Sequence, residues 1–188
     1  MARDKDGGRP QSLWETLMEW FLIFLAFSII GWLYEVGIMW FEMHQGFVNR
    51  GYLFGPYLPI YGIGGLLLLM TAGRLRKHPI PCFLAICVMA TGIELLASYL
   101  LEWILGYFLW NYLDTGYGPT FQGRIALRSS LQFGLMGMVA VYVIYPLAHK
   151  GIAKFRGKFP KLYHCVALIF MALFFADLAI RLVHGSNT

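Results

Sequence analysis

Charged side chains are scarce in this chain. Of its 188 residues only 13% are charged, whereas 59% are hydrophobic. These proportions exclude an intrinsically disordered chain and make a water-soluble core domain a poor description. Cysteine is also rare: the three cysteines include no CxxC pair. We therefore expect neither a disulfide framework nor a redox motif.

Several enzyme motifs are missing as well. The sequence contains no GxxxxGK[ST] loop, no HExxH zinc motif and no GxSxG nucleophile motif. Its five histidines are scattered, and no pair has the spacing of metal ligands. We expect no cofactor and no metal. ATP hydrolysis by this chain alone is excluded, so an ATPase would have to be a separate subunit.

Long apolar stretches dominate what is present. Five of them approach the roughly 20 residues that cross a membrane as a helix. They are residues 20–41, 58–73, 81–110, 129–147 and 163–183. This pattern predicts an all-α bundle of five transmembrane helices in one domain, with tails at residues 1–19 and 184–188.

The basic residues predict how the bundle is oriented. Eleven lysines and arginines flank the spans on one side, against four arginines on the other: Arg50, Arg124, Arg128 and Arg181. The positive-inside rule then places the N-terminus in the cytoplasm and the C-terminus outside, in a multi-pass protein of the plasma membrane. The net charge of +5 reflects this topology, helped by attraction to membrane lipids, and we expect no nucleic-acid partner.

Three glutamates lie in or at the end of the apolar stretches: Glu35, Glu94 and Glu102. A carboxylate in hydrocarbon is costly unless it is paired, protonated or faces a polar cavity. Thr91, Glu94, Ser98 and Glu102 recur at helical spacing, so we expect one polar stripe that faces the bundle interior. Such a stripe can simply join helices, but two carboxylates favour a functional site.

All the cations on the predicted outer side are arginines. A guanidinium group binds a carboxylate or a phosphate through two parallel hydrogen bonds. Arg50 and Arg124 therefore either close ion pairs with the glutamates or bind an anionic ligand or lipid headgroup. Glutamates and arginines together predict a polar pocket that opens toward the outer side and takes a small-molecule or ionic ligand.

One contact between helices and one pair within a helix are also predicted. Gly62, Gly64 and Gly65 in the second span would let a neighbouring helix approach closely, most simply the third. Asp177 and Arg181 are four residues apart, the spacing at which an acid and an arginine pair on one helix.

An ordered string of motifs resembles a known family. The motifs are Gly31-Trp32 with Glu35, Asn49-Arg50-Gly51, Gly55-Pro56, Pro59-Ile60-Tyr61-Gly62, Glu94 with Glu102, Trp110-Asn111-Tyr112 and Phe121-Gln122-Gly123-Arg124-Ile125. They resemble the putative ABC-transporter type IV, or CmpB-like permease, family of small bacterial membrane proteins. The chain departs from the family pattern at Asn111, where aspartate is usual, and at Gln122, where asparagine is usual.

The resemblance implies a transporter permease and adds Asn49, Tyr61, Trp110 and Tyr112 to the candidate binding residues. The first functional hypothesis is thus a small permease or substrate-binding transport subunit that is not an enzyme. A bundle of five helices is thin, so a homodimer or another subunit would complete a path. Two alternatives stay open: an enzyme that modifies a lipid or isoprenoid phosphate in the membrane, and a structural or regulatory subunit.

Overall fold

The fold is helical. A computed structural model describes residues 12–41, 44, 46–49, 51, 53–107, 110–113 and 118–184. About 80% of the described residues are helical, which confirms the all-α class. The helices are α1 (Leu13–Phe41), α2 (Pro59–Thr71), α3 (Pro79–Leu105), α4 (Leu127–Val139), α5 (Tyr145–Lys158) and α6 (Pro160–His184), and the strands are β1 (Thr120–Phe121) and β2 (Ile125–Ala126).

Four of the described helices are long and apolar enough to cross a membrane. They are Leu13–Phe41, Pro79–Ile104, Leu127–Lys158 and Pro160–Val183. The second predicted span corresponds to a shorter apolar helix, Pro59–Leu75. The chain is therefore a membrane protein, and its fifth span and its orientation stay predictions.

The first helix starts earlier than the predicted span at residue 20. Ser12 and Glu15 form a capping box, in which Ser12 N donates to Glu15 Oε2 at 2.9 Å and Glu15 N donates to Ser12 Oγ at 3.2 Å. These bonds satisfy backbone donors that a helix start leaves open. Residues 1–11 of the predicted N-terminal tail and residues 185–188 of the C-terminal tail lie outside the described part of the chain.

The helices divide between two compact units. The first unit comprises residues 1–66 and 145–188, and the second comprises residues 67–144. In the first unit, Met18 of α1 packs with Tyr163 and Ala167 of α6, and Ile152 and Phe155 of α5 complete this core. The predicted single domain over residues 20–183 stays a prediction.

Two glycines of α2 allow close packing within the first unit. A Cβ atom at Gly65 would lie 2.6 Å from the buried Phe27 ring, and one at Gly62 would overlap Phe24 and Ser28. At Gly64 a Cβ atom would meet nothing within 4 Å. The helix that approaches these glycines is thus α1, where we predicted the third span, and Gly64 has no packing role of this kind.

This difference predicts opposite effects for two matched substitutions. Gly65→Ala should lower the free energy of unfolding by about 1–2 kcal/mol, because overpacking against Phe27 outweighs the better helix propensity of alanine. Gly64→Ala should leave stability unchanged or raise it by up to about 1 kcal/mol. Unfolding of both variants in mixed detergent micelles measures the difference, and equal values would contradict the packing.

The second unit is built on α3 and α4. Cys82 and Ile86 of α3 pack with Val141 in a buried core, and small residues of α4 allow the close approach. A Cβ atom at Gly134 would lie 2.7 Å from the Phe83 ring. The chain then continues from α4 through a π-helical segment, Ala140–Ile144, to α5.

A short hairpin precedes α4 in the second unit. Phe121 pairs with Ile125, and Thr120 pairs with Ala126. Gln122 and Gly123 both have positive φ angles, 54° and 68°, and Arg124 N donates to Phe121 O at 3.0 Å. These features form a tight β-turn over residues 121–124, and three residues separate the paired Phe121 and Ile125. Arg124 is the last residue of the turn.

Candidate functional site

The polar stripe of α3 faces the interior of the second unit. Each of its four side chains makes a hydrogen bond to a residue between 112 and 130. At one end Thr91 Oγ1 donates to Ser130 Oγ at 2.7 Å. Ser98, Ser129 and Ser130 are all buried. The helical spacing therefore predicted the direction of this face correctly.

Glu94 lies in the middle of the stripe with neutral partners. Tyr112 Oη donates to Glu94 Oε1 at 2.7 Å, and Ser129 Oγ donates to the same oxygen at 3.1 Å. The other oxygen, Oε2, is shielded from solvent and has no hydrogen-bond donor among the described residues. Across those same residues, no cation lies within ion-pair distance of Glu94. One oxygen of this carboxyl group is thus left without a partner among the described residues.

Arg124 forms an internal ion pair. Its Nη2 atom donates to Glu102 Oε2 at 2.6 Å, and Nη1 donates to Ser98 Oγ at 3.0 Å. The guanidinium carbon lies 4.0 Å from the centre of the Tyr99 ring. The Arg124 side chain is 8% exposed, and that of Glu102 is 36% exposed. Of the two destinations left open for Arg124, the structure shows the ion pair.

The segment at residues 110–113 supports this arrangement. Trp110 Nε1 donates to Arg124 O at 3.0 Å, and Tyr112 N donates to Gly123 O at 2.8 Å. Asn111 Oδ1 accepts from Leu113 N at 3.0 Å, which closes a local turn. The residue that replaces the usual aspartate therefore supports the backbone beside Tyr112, and Tyr112 itself reaches Glu94.

A second carboxyl group with a phenol partner lies in the first unit. Tyr61 Oη donates to Glu35 Oε1 at 2.6 Å. Trp32 Nε1 donates to Asn49 Oδ1 at 2.8 Å, and the same oxygen accepts from Gly51 N at 3.2 Å. Arg50 lies outside the described residues. Glu35 and Glu94 belong to different units, so a pocket shared by all three predicted glutamates stays a prediction.

Sequence reasoning missed the role of Asp177 in the first unit. Its carboxylate accepts from Phe54 N at 3.0 Å, from Gly55 N at 2.9 Å and from Tyr57 Oη at 2.5 Å. Arg181, the expected partner of Asp177, lies with its guanidinium carbon 4.0 Å from the centre of the Phe54 ring. Asp177, a residue of α6, therefore holds the connection that precedes α2 through three hydrogen bonds.

The phenol of Tyr57 stays protonated in this contact. Its burial, together with the hydrogen bond and the charge of Asp177, raises the pKa of Tyr57 well above its ordinary value. A phenol that keeps its proton remains a donor to the carboxylate across the physiological pH range. This contact joins residues that are 120 positions apart in the chain, and no local sequence pattern could have indicated it.

Comparison with known proteins identifies the family. The sequence profile of the family described as "Putative ABC-transporter type IV" matches residues 22–182. The chain belongs to this family. No curated protein and no solved structure matches it. As a family member it is related to ABC-transporter proteins of the membrane, and the resemblance drawn from the motifs is confirmed.

The polar stripe of this protein offers hydroxyl and carboxyl oxygens to a ligand. No group of three or more histidine, cysteine or acidic side chains lies together in the part of the chain that the structure describes. The Glu102–Arg124 pair is neutral overall, so its two charges offset each other. The remaining reactive group of the stripe is Glu94, with Tyr112 and Ser129 as neutral donors.

Proposed function

We propose that this protein is a small permease or substrate-binding transport subunit of the plasma membrane. It has five spans, with α2 as the short one, a cytoplasmic N-terminus and an external C-terminus. Residues 20–183 form its transmembrane domain. The polar stripe of the second unit supplies a Glu/Arg pocket that opens toward the outer side and binds an ionic or small-molecule ligand.

The observation that carries the proposal is the unsatisfied oxygen of Glu94. A carboxyl group inside a membrane protein, without a cationic partner, takes up a proton or a cationic group. Tyr112 and Ser129 hold the group in place through Oε1, which leaves Oε2 for the exchange. Glu94 is then the binding residue, while Arg124 and Glu102 set the geometry of the stripe around Ser98.

The hydrogen bonds of the first unit support a second binding element. Glu35 accepts from Tyr61 as Glu94 accepts from Tyr112. Asn49 is held by Trp32 and precedes Arg50 in the chain. We assign the four predicted binding residues of this region, Glu35, Asn49, Arg50 and Tyr61, to ligand binding. A carboxyl group with a phenol donor is a unit that can gain or lose a proton while keeping its position.

The partners follow from the family and from the sequence. An ABC-transporter relative without an ATP-binding loop requires a separate ATPase or other subunit for energy. A second copy of the chain would complete a path that one thin bundle cannot enclose. The enzyme alternative has less support, because the guanidinium of Arg124, the described candidate for gripping a phosphate, is held by Glu102 and Ser98.

The test replaces Glu94 with glutamine, which keeps the shape of the side chain and removes the ionisable group. The purified protein is reconstituted into vesicles that contain a trapped pH-sensitive dye, and proton uptake is followed after a membrane potential is imposed. Glu94→Gln should lower the rate by about tenfold or more, equivalent to about 1.4 kcal/mol or more. Infrared spectra over a pH series should also lose one carboxylic-acid band.

Glu15→Gln is the matched control, because Glu15 is an acid of the capping box and is not part of the stripe. This variant should keep both the uptake and the infrared band. Unchanged uptake in a folded Glu94→Gln protein, together with an unchanged infrared band, would overturn the proposal and favour a structural role for the stripe.

A further inference from the structure

The helix α5 has two faces of different chemistry. Ile152 and Phe155 pack into the core of the first unit with Met18 and Tyr163. At about 100° per residue, Lys150, Lys154 and Lys158 project from the opposite side of the helix. All three lysines are exposed. The helix thus presents a row of lysines, here called the lysine row, away from the protein.

One cation of α5, Arg156, lies on the side of the helix that packs against the protein, and it forms an ion pair there. Arg156 Nη1 donates to the buried Glu19 Oε2 at 2.9 Å, and His149 Nδ1 lies 2.7 Å from Glu19 Oε1. The lysine row differs, because no acidic side chain of the described residues lies within ion-pair distance of it. Lys158 Nζ lies 5.2 Å from the centre of the Phe159 ring, and the described residues leave all three charges without an acidic partner.

The position of α5 along α1 indicates the nature of that partner. α5 packs at the level of Met18 and Leu22, and the neighbouring indoles of Trp14 and Trp20 are 49% and 38% exposed. Exposed tryptophans on a membrane helix are typical of the headgroup level of a bilayer. This depth favours a lipid headgroup over an acidic protein as the partner of the lysine row.

The residues along the lysine-bearing face of α5 also fit a position at the headgroup level of a bilayer. Leu147, which is 66% exposed, precedes Lys150 on that face, so an apolar surface gives way to a basic one within a single helical turn. A Cβ atom at Gly151 or at Gly157 would meet nothing within 4 Å. Open space therefore adjoins the lysines, whose long apolar stems can extend toward a phosphate.

We propose that the lysine row of Lys150, Lys154 and Lys158 binds the headgroups of anionic phospholipids. Each ammonium group pairs with a lipid phosphate at the level that Trp14 and Trp20 mark. The row spans about 12 Å along the helix, given about 1.5 Å per residue. This inference does not depend on the proposed transport function, since it concerns another surface and another class of ligand.

The experiment counts bound lipids by native mass spectrometry of the full-length protein. The purified protein is mixed in detergent with equal amounts of phosphatidylglycerol and phosphatidylcholine. The wild type should retain phosphatidylglycerol preferentially. The triple variant Lys150→Gln, Lys154→Gln, Lys158→Gln should lose this preference, at roughly fivefold for each lysine that is removed.

A matched variant separates the lysine row from net charge. Arg3→Gln, Lys5→Gln, Arg9→Gln removes the same number of cations from the N-terminal residues and should keep the preference. Equal losses in the two triple variants, or no loss in the lysine variant, would overturn the proposal. No loss in the lysine variant would leave an acidic protein as the class of partner to examine. Circular dichroism verifies that both variants are folded.

Discussion

Replacing Asp177 with alanine is expected to lower the free energy of unfolding by about 4 kcal/mol. The carboxylate accepts from two backbone N–H groups and one phenol, those of Phe54, Gly55 and Tyr57. Asp177 is itself only 9% exposed. Removing it leaves these donors without their acceptor, and each such donor costs about 1–3 kcal/mol.

The contact can be dissected with smaller changes at the same place. Tyr57→Phe removes one donor and should cost about 1 kcal/mol. Asp177→Asn keeps the shape but loses the charge, so its cost should lie between those of the other two variants. Unfolding in mixed detergent micelles gives these differences. Similar stabilities of wild type and Asp177→Ala would show that the contact does not stabilise the fold.

The same substitution should also expose the connection before α2. A cysteine at Leu53, which is only 1% exposed, is introduced into wild type and into Asp177→Ala and reports this through its rate of reaction with a membrane-impermeant maleimide. The rate should rise by about tenfold or more in the variant, because the contact that holds the segment is worth more than about 1.4 kcal/mol. An unchanged rate would mean that other contacts hold the segment.

Replacing Glu102 with glutamine should be the second large perturbation. The Arg124 guanidinium is buried and pairs with Glu102 at 2.6 Å. Without the carboxylate this charge remains in a nearly water-free place beside Ser98 and the Tyr99 ring. Breaking such a pair costs about 3 kcal/mol, toward the low end because the Glu102 side chain is itself 36% exposed.

Two further variants test the assignment of this loss to an unpaired charge. Ser98→Ala removes a neutral partner of Arg124 and should cost only about 1 kcal/mol. Combining Glu102→Gln with Arg124→Gln should restore part of the stability, since the unpaired guanidinium is then absent. Additive losses in the double variant would contradict an ion pair between the two residues.

The predictions that succeeded rest on local rules. The interval of three and four residues from Thr91 to Glu102 determines which face of α3 is polar, whatever packs against it. The excess of apolar residues determines that the chain is a helical membrane protein, because lipid leaves every backbone group to be satisfied within the chain. The capping box of Ser12 and Glu15 was also readable, and it would have placed the start of α1 correctly.

The predictions that failed concern partners distant in the sequence. Gly62 and Gly65 indicate that something approaches α2 closely, but lipid is as apolar as leucine, so hydrophobicity cannot indicate which helix it is. Asp177 interacts electrostatically with Arg181 four residues away, as its spacing predicted, but only the folded chain shows its bonds to Phe54 and Gly55. Only the tertiary structure shows which of several chemically acceptable partners a residue contacts.

The turn at Gln122 and Gly123 has a consequence for how related chains can diverge. Gln122 adopts a positive φ angle without being asparagine or glycine, and its side chain accepts a hydrogen bond from Tyr99 Oη, so this position accepts a side chain other than the usual asparagine. An insertion is a different matter, because one additional residue would move Arg124 off the end of the turn and away from both Glu102 and the Trp110 indole. Relatives of this protein should therefore keep the number of residues between Phe121 and Ile125 constant.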